Sequence, residues 1–247
     1  MLQHCYNQIR QVIGKNIIEP YESVSLVERY RQYWKPDNDN VRIILLAESH
    51  VFTSDNDRLI GMPLIENLPG YPTEYAKFVY CLAYGERELT ENPAHPIGYG
   101  TPQYWKVFYS CINHVTQIDN FEPVLRDTPY PERLNNKIAV LQALRARGIW
   151  LVDSSIVALY NNGRIYNNTT DKRIIKTSWE CYIRSIIAQA RPDHIICIGK
   201  RVAEVLERDI RTLVNSYTVV AQPNAFLTAE EAMSIFRLYG KICCDMC

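Results

Sequence analysis

Four short segments of this chain end in side chains that can do chemistry: Ala47-Glu48-Ser49-His50-Val51-Phe52, Val152-Asp153-Ser154-Ser155, Gly199-Lys200, and Ala221-Gln222-Pro223-Asn224-Ala225. A carboxylate such as Glu48 can position a water or stabilise a developing cation, and His50 two residues on can act beside it as base or ligand. Gln222 offers an amide NH2 donor, weaker than an imidazole towards a departing anion. Ionised Asp153 only accepts hydrogen bonds, so it matches a ligand face built of N–H groups. Phe52 can stack on a planar ring. Lys200 and Arg201, directly after Gly199, are placed to meet a phosphate at a helix N-terminus.

Each of these tips closes an apolar run, over 42–49, 149–154, 194–200 and 217–224. Continuous apolar runs separated by helical periodicity are the pattern of parallel strands buried on both faces. In such sheets the ligand site lies in the crevice outside the carboxyl ends of the strands, so the four tips should converge. The spacing predicts helices over 2–13, 21–34, 73–83 with Thr73 as N-cap, 103–115, 132–147 stopped by Gly148, 177–190, 201–213 and 228–239, the last opened by a Thr228/Glu231 capping box. The expected fold is α/β, a three-layer α/β/α sandwich around a central, mainly parallel four-stranded sheet. A single domain over 1–247 is expected, with N-terminal helices over 1–40, the core over 41–226, and a C-terminal helix and tail over 227–247. The Pro-, Gly- and Tyr-rich stretch from Thr53 to Gly100 is long enough to read as a functional loop or lid.

Composition narrows the class. With 47% hydrophobic residues in 247, the chain can bury a full core without metal or disulfide. No run approaches the length of a membrane span, and the N-terminus lacks the plan of a signal peptide, so a cytoplasmic, reducing location is expected. Lys plus Arg equals Asp plus Glu at 27 each, which gives no global basic field, although a local basic groove remains compatible with it. Most of the eight cysteines sit in apolar segments, where a reduced thiol is a small hydrophobe. Cys244 and Cys247 have C-x-x-C spacing in the tail with Cys243, but a zinc or iron–sulfur site normally needs four ligands. A final buried strand with a frayed end is the expectation there, with no metal and no cofactor. There is no phosphate-binding GxxxxGK[ST], no GxGxxG and no GxSxG.

The colinear order of the segments, strand plus Ala47-Glu48-Ser49-His50, strand plus Val152-Asp153-Ser154-Ser155, the run RPDHIICIGKRVAEVL over 191–206 and strand plus Gln222-Pro223-Asn224, resembles the uracil-DNA glycosylase superfamily over 41–226. The resemblance implies a glycosylase-like fold, DNA or a nucleobase as partner, and cleavage of an N-glycosidic bond. Such cleavage develops positive charge on the sugar and negative charge on the base, so it needs an anion on one side and donors on the other. It assigns Glu48, Ser49 and His50 to the water and sugar side, Asp153 and Phe52 to the base, and Gln222, Asn224 and Lys200 to the leaving-group and phosphate side. The chain departs from the family's forms. Ser49 stands where the Gly-Gln-Asp-Pro-Tyr-His form has its catalytic Asp, His50 replaces a Pro, Gln222-Pro223-Asn224 replaces His-Pro-Ser, and Asp153 replaces an Asn that reads uracil. An acceptor-only Asp153 faces O4 of uracil unfavourably and suits guanine or a deaminated purine, so a base other than uracil is expected.

Other readings of the same residues stay open. Glu48 could pair with an Arg, Asp153 with Ser154 and Ser155 could cap a helix over 156–160, Gln222-Pro223-Asn224 could be an ordinary turn, and Lys200 a solvated first turn. Glu48-Ser49-His50 is also similar to the Glu-x-His loop of some esterase-like and haem-handling proteins, which gives a hydrolase alternative. The departures at Ser49 and Gln222 favour, over that hydrolase, a catalytically impaired protein that binds nucleic acid or a partner on the same fold.

Overall fold

The computed structural model describes residues 1–14, 18–36, 40–91, 100–223 and 227–246, with side chains to 244. The elements follow one another as α1 (Leu2–Ile13), α2 (Tyr21–Tyr33), β1 (Ile43–Ala47), α3 (Asp55–Arg58), α4 (Pro102–Ile112), α5 (Tyr130–Ala146), β2 (Ile149–Asp153), α6 (Asn168–Ser178), α7 (Arg184–Ala190), β3 (His194–Ile198), α8 (Lys200–Ile210), β4 (Ser216–Val220) and α9 (Ala229–Met246). All strand pairs are parallel, in the order β2-β1-β3-β4. Every residue of β1, β2 and β3 is buried, which is why their sequences are unbroken apolar runs. The edge strand β4 is only partly covered. Helices α4, α5 and α9 pack together with α5 against β2, whereas α8 packs against β3 and β4 and against α6, which in turn holds α1. The result is a three-layer α/β/α sandwich. The chain leaves β1 for β2 on one side and later sets β3 on the other, so the topological switch point lies at the C-terminal ends of β1 and β3.

Gly148 shows how local backbone chemistry sets this register. Its φ of +72° ends α5, and its carbonyl accepts the N–H groups of Arg42 at 2.8 Å and Ile43 at 3.1 Å, so one residue stops a helix and aligns β1 with β2.

Several local expectations change once tertiary contacts are present. The helix expected over 73–83 is instead a buried series of turns. Lys77 is the reason: its carbonyl accepts the Val51 N–H and its own N–H reaches Thr53 Oγ1, so the backbone is committed to the loop after β1 rather than to a helical ladder. The helix expected at 177 starts nine residues earlier at Asn168, capped by Asn167, whose side chain accepts the Thr170 N–H. It runs through a π-helical turn at Trp179–Ile183 into α7. Ser178, inside this helix, accepts the Ile156 N–H with its hydroxyl. No helix forms over 156–160, so Asp153 caps nothing there. The tail is not a strand, because α9 continues through Cys243, which is buried, and Cys244; Cys247 lies outside the described residues. The Thr228/Glu231 capping box forms as expected, with Glu231 Oε2 accepting the Thr228 N–H at 2.7 Å. Among the described residues no helix is long and apolar enough to cross a membrane.

A Cβ at Gly148 would stand 1.9 Å from the Asn40 carbonyl oxygen, on top of the unfavourable positive φ. Gly148→Ala should therefore lower the free energy of unfolding by at least about 1–3 kcal/mol, read from urea titrations of the two proteins.

Candidate active site

The tips of β1 and β2 are stitched together by backbone hydrogen bonds. The Ser154 N–H reaches the Ala47 carbonyl at 2.7 Å, and the Glu48 carbonyl accepts the Ser155 N–H and the Ser154 hydroxyl. The chain after β2 then turns back beside the loop after β1, with the Ser49 hydroxyl accepting the Leu159 N–H and the Tyr160 carbonyl accepting the Phe52 N–H. This return brings the Tyr160 hydroxyl onto the Glu48 carboxylate. At the other side of the crevice, Gly199 (φ +104°) has no side chain to keep Gln222 away: a Cβ there would sit 2.9 Å from Gln222 Cγ. Gln222 can thus lean across β3 towards Glu48.

These tips enclose a cavity of about 210 Å³ lined by Glu48, Ser49, His50, Asp153 and Gln222, with the rings of Phe78, Tyr104 and Tyr160 among its walls. A cavity of roughly 150 Å³ admits benzene, so this one has room for a larger planar heterocycle.

Glu48 is buried and both of its oxygens are engaged. Oε1 accepts from Arg201 Nη1 at 2.7 Å, while Oε2 accepts from the Tyr160 hydroxyl at 2.7 Å and from Gln222 Nε2 at 2.5 Å. Behind them Arg201 also touches Asp171 at 3.4 Å, Arg164 pairs with Asp171 and donates to the Tyr160 oxygen at 3.0 Å. Burial, then the bond to Glu48, holds the Tyr160 hydroxyl well above its ordinary range, so it stays a donor. The carboxylate is therefore held in a preset direction.

His50 faces the cavity with its ring but not with a nitrogen. Nε2 meets Glu19 Oε2 at 2.8 Å and Nδ1 meets Asp153 Oδ2 at 3.1 Å, all three groups being buried. Burial pulls its pKa down, but the Glu19 charge and the bonds to Asp153 and Glu19 outweigh that and raise it to about 9. The ring is an imidazolium at neutral pH that donates both N–H groups, which leaves it no lone pair for a base or a ligand. Asp153 Oδ2 also receives Arg31 Nη2 at 3.4 Å, and Arg31 pairs in turn with Glu28. Glu19 accepts the backbone N–H groups of Thr53 and Ala158 as well.

Of the residues singled out in the sequence, Glu48, Ser49, His50, Asp153 and Gln222 come together around one cavity. Phe52 does not line it, and the nearby Phe78 does, because the turns around Lys77 bring residue 78 under the strand tips. Lys200 is exposed at the start of α8, and its neighbour Arg201 makes the contact. Asn224 lies outside the described residues. Glu19, Glu28, Arg31, Arg164 and Asp171 carried no motif. The one legible hint was Glu28 and Arg31, a charged pair three residues apart on a helix whose other positions are largely core-facing. Among the described residues no group of three or more His, Cys, Asp or Glu is arranged to hold a metal ion.

The raised His50 pKa stabilises the fold fully below pH 6.5 and loses that contribution as the pH rises through about 9. Urea titrations across this window should show wild-type stability falling, and the gap between wild type and His50→Gln should be wider at pH 6 than above pH 9. A gap independent of pH would remove the imidazolium from the account.

No family model, curated protein or solved structure matches this chain.

Proposed function

We propose that the protein is a divergent DNA N-glycosylase that releases a modified base other than uracil. The observation that carries this reading is the convergence of Glu48, Asp153 and Gln222 on one cavity of about 210 Å³ at the switch point of a parallel sheet. In this reading Glu48, held by Arg201, Tyr160 and Gln222, faces the sugar and stabilises the cation that develops as the N-glycosidic bond breaks. Asp153, bonded to His50 and Arg31, accepts hydrogen bonds from the base, which disfavours uracil at O4. Phe78 and Tyr104 supply the flat walls. Arg201 and Lys200, at the start of α8, face the DNA backbone.

A second reading has its own support. Three of the roughly four acceptor sites of the Glu48 carboxylate are taken by Arg201, Tyr160 and Gln222, which leaves one site on Oε1 for a water and suits a protein that binds a base or nucleic acid without cleaving it. No observation favours the esterase-like alternative, because His50 has no free ring nitrogen.

The deciding experiment incubates the protein with oligonucleotides that carry single modified bases, in single- and double-stranded form, and measures abasic sites by alkaline cleavage. Wild type should generate them, and Glu48→Gln should lower the rate by about 100-fold or more, the usual cost of losing a preorganised charge in a site. Oligonucleotides retarded in a gel, salt-dependently but without base release, would favour the binding protein instead.

A further inference from the structure

The ionisable groups around the cavity do not balance. Behind its walls lie three buried carboxylates, Glu19, Glu28 and Asp153, against two cations, the His50 imidazolium and Arg31. On the opposite wall Glu48 and Asp171 are matched by Arg201 and Arg164. Lys77, which also lines the cavity, is matched by Asp57, so these groups together keep one negative charge in excess. The cavity is also walled by three aromatic rings, Phe78, Tyr104 and Tyr160, whose faces are themselves electron-rich. Burial, then the negative charges of Asp153 and Glu48, push the Tyr104 hydroxyl up, which places that ring in the field of both carboxylates.

Among the described residues that line the site, no acid is set to protonate a leaving base: Lys77 Nζ is bonded to Asp57 Oδ2 at 2.8 Å, and burial with the nearby carboxylates pushes the Tyr104 hydroxyl up. His50 spends both N–H groups on Glu19 and Asp153, and the Gln222 amide is drawn onto Glu48. A neutral base departs as an anion and needs such a donor. A base that already carries a positive charge departs neutral and does not.

Resting on the base-binding reading of this cavity, we propose that its ligand is a cationic purine, specifically an N7-alkylated guanine. Such a base has adjacent N–H donors, N1–H and the 2-amino group, for the Asp153 carboxylate. Its ring bears a full positive charge that the aromatic walls and the excess carboxylate attract. In the cleavage step the N9–C1′ bond breaks and its electron pair passes to N9, cancelling the ring charge. Water forms the new C1′–O bond and gives one proton to solvent. The products are the neutral alkylated base and an abasic sugar, with no oxidant, reductant or leaving-group acid required.

Two measurements separate this inference from the glycosylase reading. Binding of 7-methylguanosine and guanosine to the full-length protein, followed by calorimetry, tests the ligand. Release of base from oligonucleotides carrying 7-methylguanine, hypoxanthine or uracil tests the chemistry. The methylated nucleoside should bind about tenfold more tightly than guanosine, the range expected of a desolvated cation against aromatic faces. Tyr104→Phe should keep that ratio and Tyr104→Leu should reduce it severalfold. Equal or tighter binding of guanosine, no binding of either nucleoside, or preferential release of hypoxanthine or uracil overturns the inference. The last result would leave the glycosylase reading standing. Preferred binding of 7-methylguanosine with no release from any oligonucleotide would support the ligand and remove the enzyme.

Discussion

A buried chain of alternating charge runs through the molecule from Glu19 to His50, Asp153, Arg31 and Glu28. It ties the segment before α2, and α2 itself, to the tips of β1 and β2. Ions taken out of water are stable only when paired, and removing one partner from such a set typically costs about 3–5 kcal/mol because the other is left uncompensated. The arrangement therefore does two things together. It docks the N-terminal helices onto the sheet, and it fixes the direction of the Asp153 carboxylate at the wall of the cavity.

The opposite wall is built on the same principle with different parts. Glu48 sits between Arg201 at the start of α8, the Tyr160 hydroxyl and the Gln222 amide, and Arg164 and Asp171 steady those groups from behind. Gln222 reaches Glu48 only because residue 199 is a glycine. Both carboxylates that face the cavity are thus oriented before any ligand arrives, as electrostatic preorganisation requires. Fixed charges suit a site that stabilises charge on its ligand better than one that shuttles protons, and the neutral amide at Gln222 and the spent imidazole at His50 point the same way.

Fold and site are coupled through loops rather than through the sheet alone. Lys77 gives its backbone to the segment after β1, and in doing so denies the 73–83 stretch a helix and sets Phe78 and its neighbours as a wall. The return of the chain after β2, pinned by Ser49 and Phe52, brings the Tyr160 hydroxyl onto Glu48. The helical spacing of the first segment is overridden, and the path of the second is set, by partners distant in sequence.

What the sequence by itself determined is the set of elements whose stability is local or purely hydrophobic. The apolar runs of β1, β2 and β3, the stop at Gly148, the capping box at Thr228 and Glu231, and hence the parallel sheet with its polar tips were all legible, because periodicity, caps and burial act through near neighbours. That Glu48, Asp153 and Gln222 would lie near one crevice followed from strand ends alone. Which groups would pair inside it did not. Glu19 and Arg31 carried no motif, His50 read as a candidate base, Phe52 as the ring in place of Phe78, and Arg201 as a phosphate contact rather than the partner of Glu48. Only the tertiary structure decided these, because the pairing of a buried charge depends on which partner the folded chain delivers within about 3–4 Å, and that distance has no trace in spacing along the sequence.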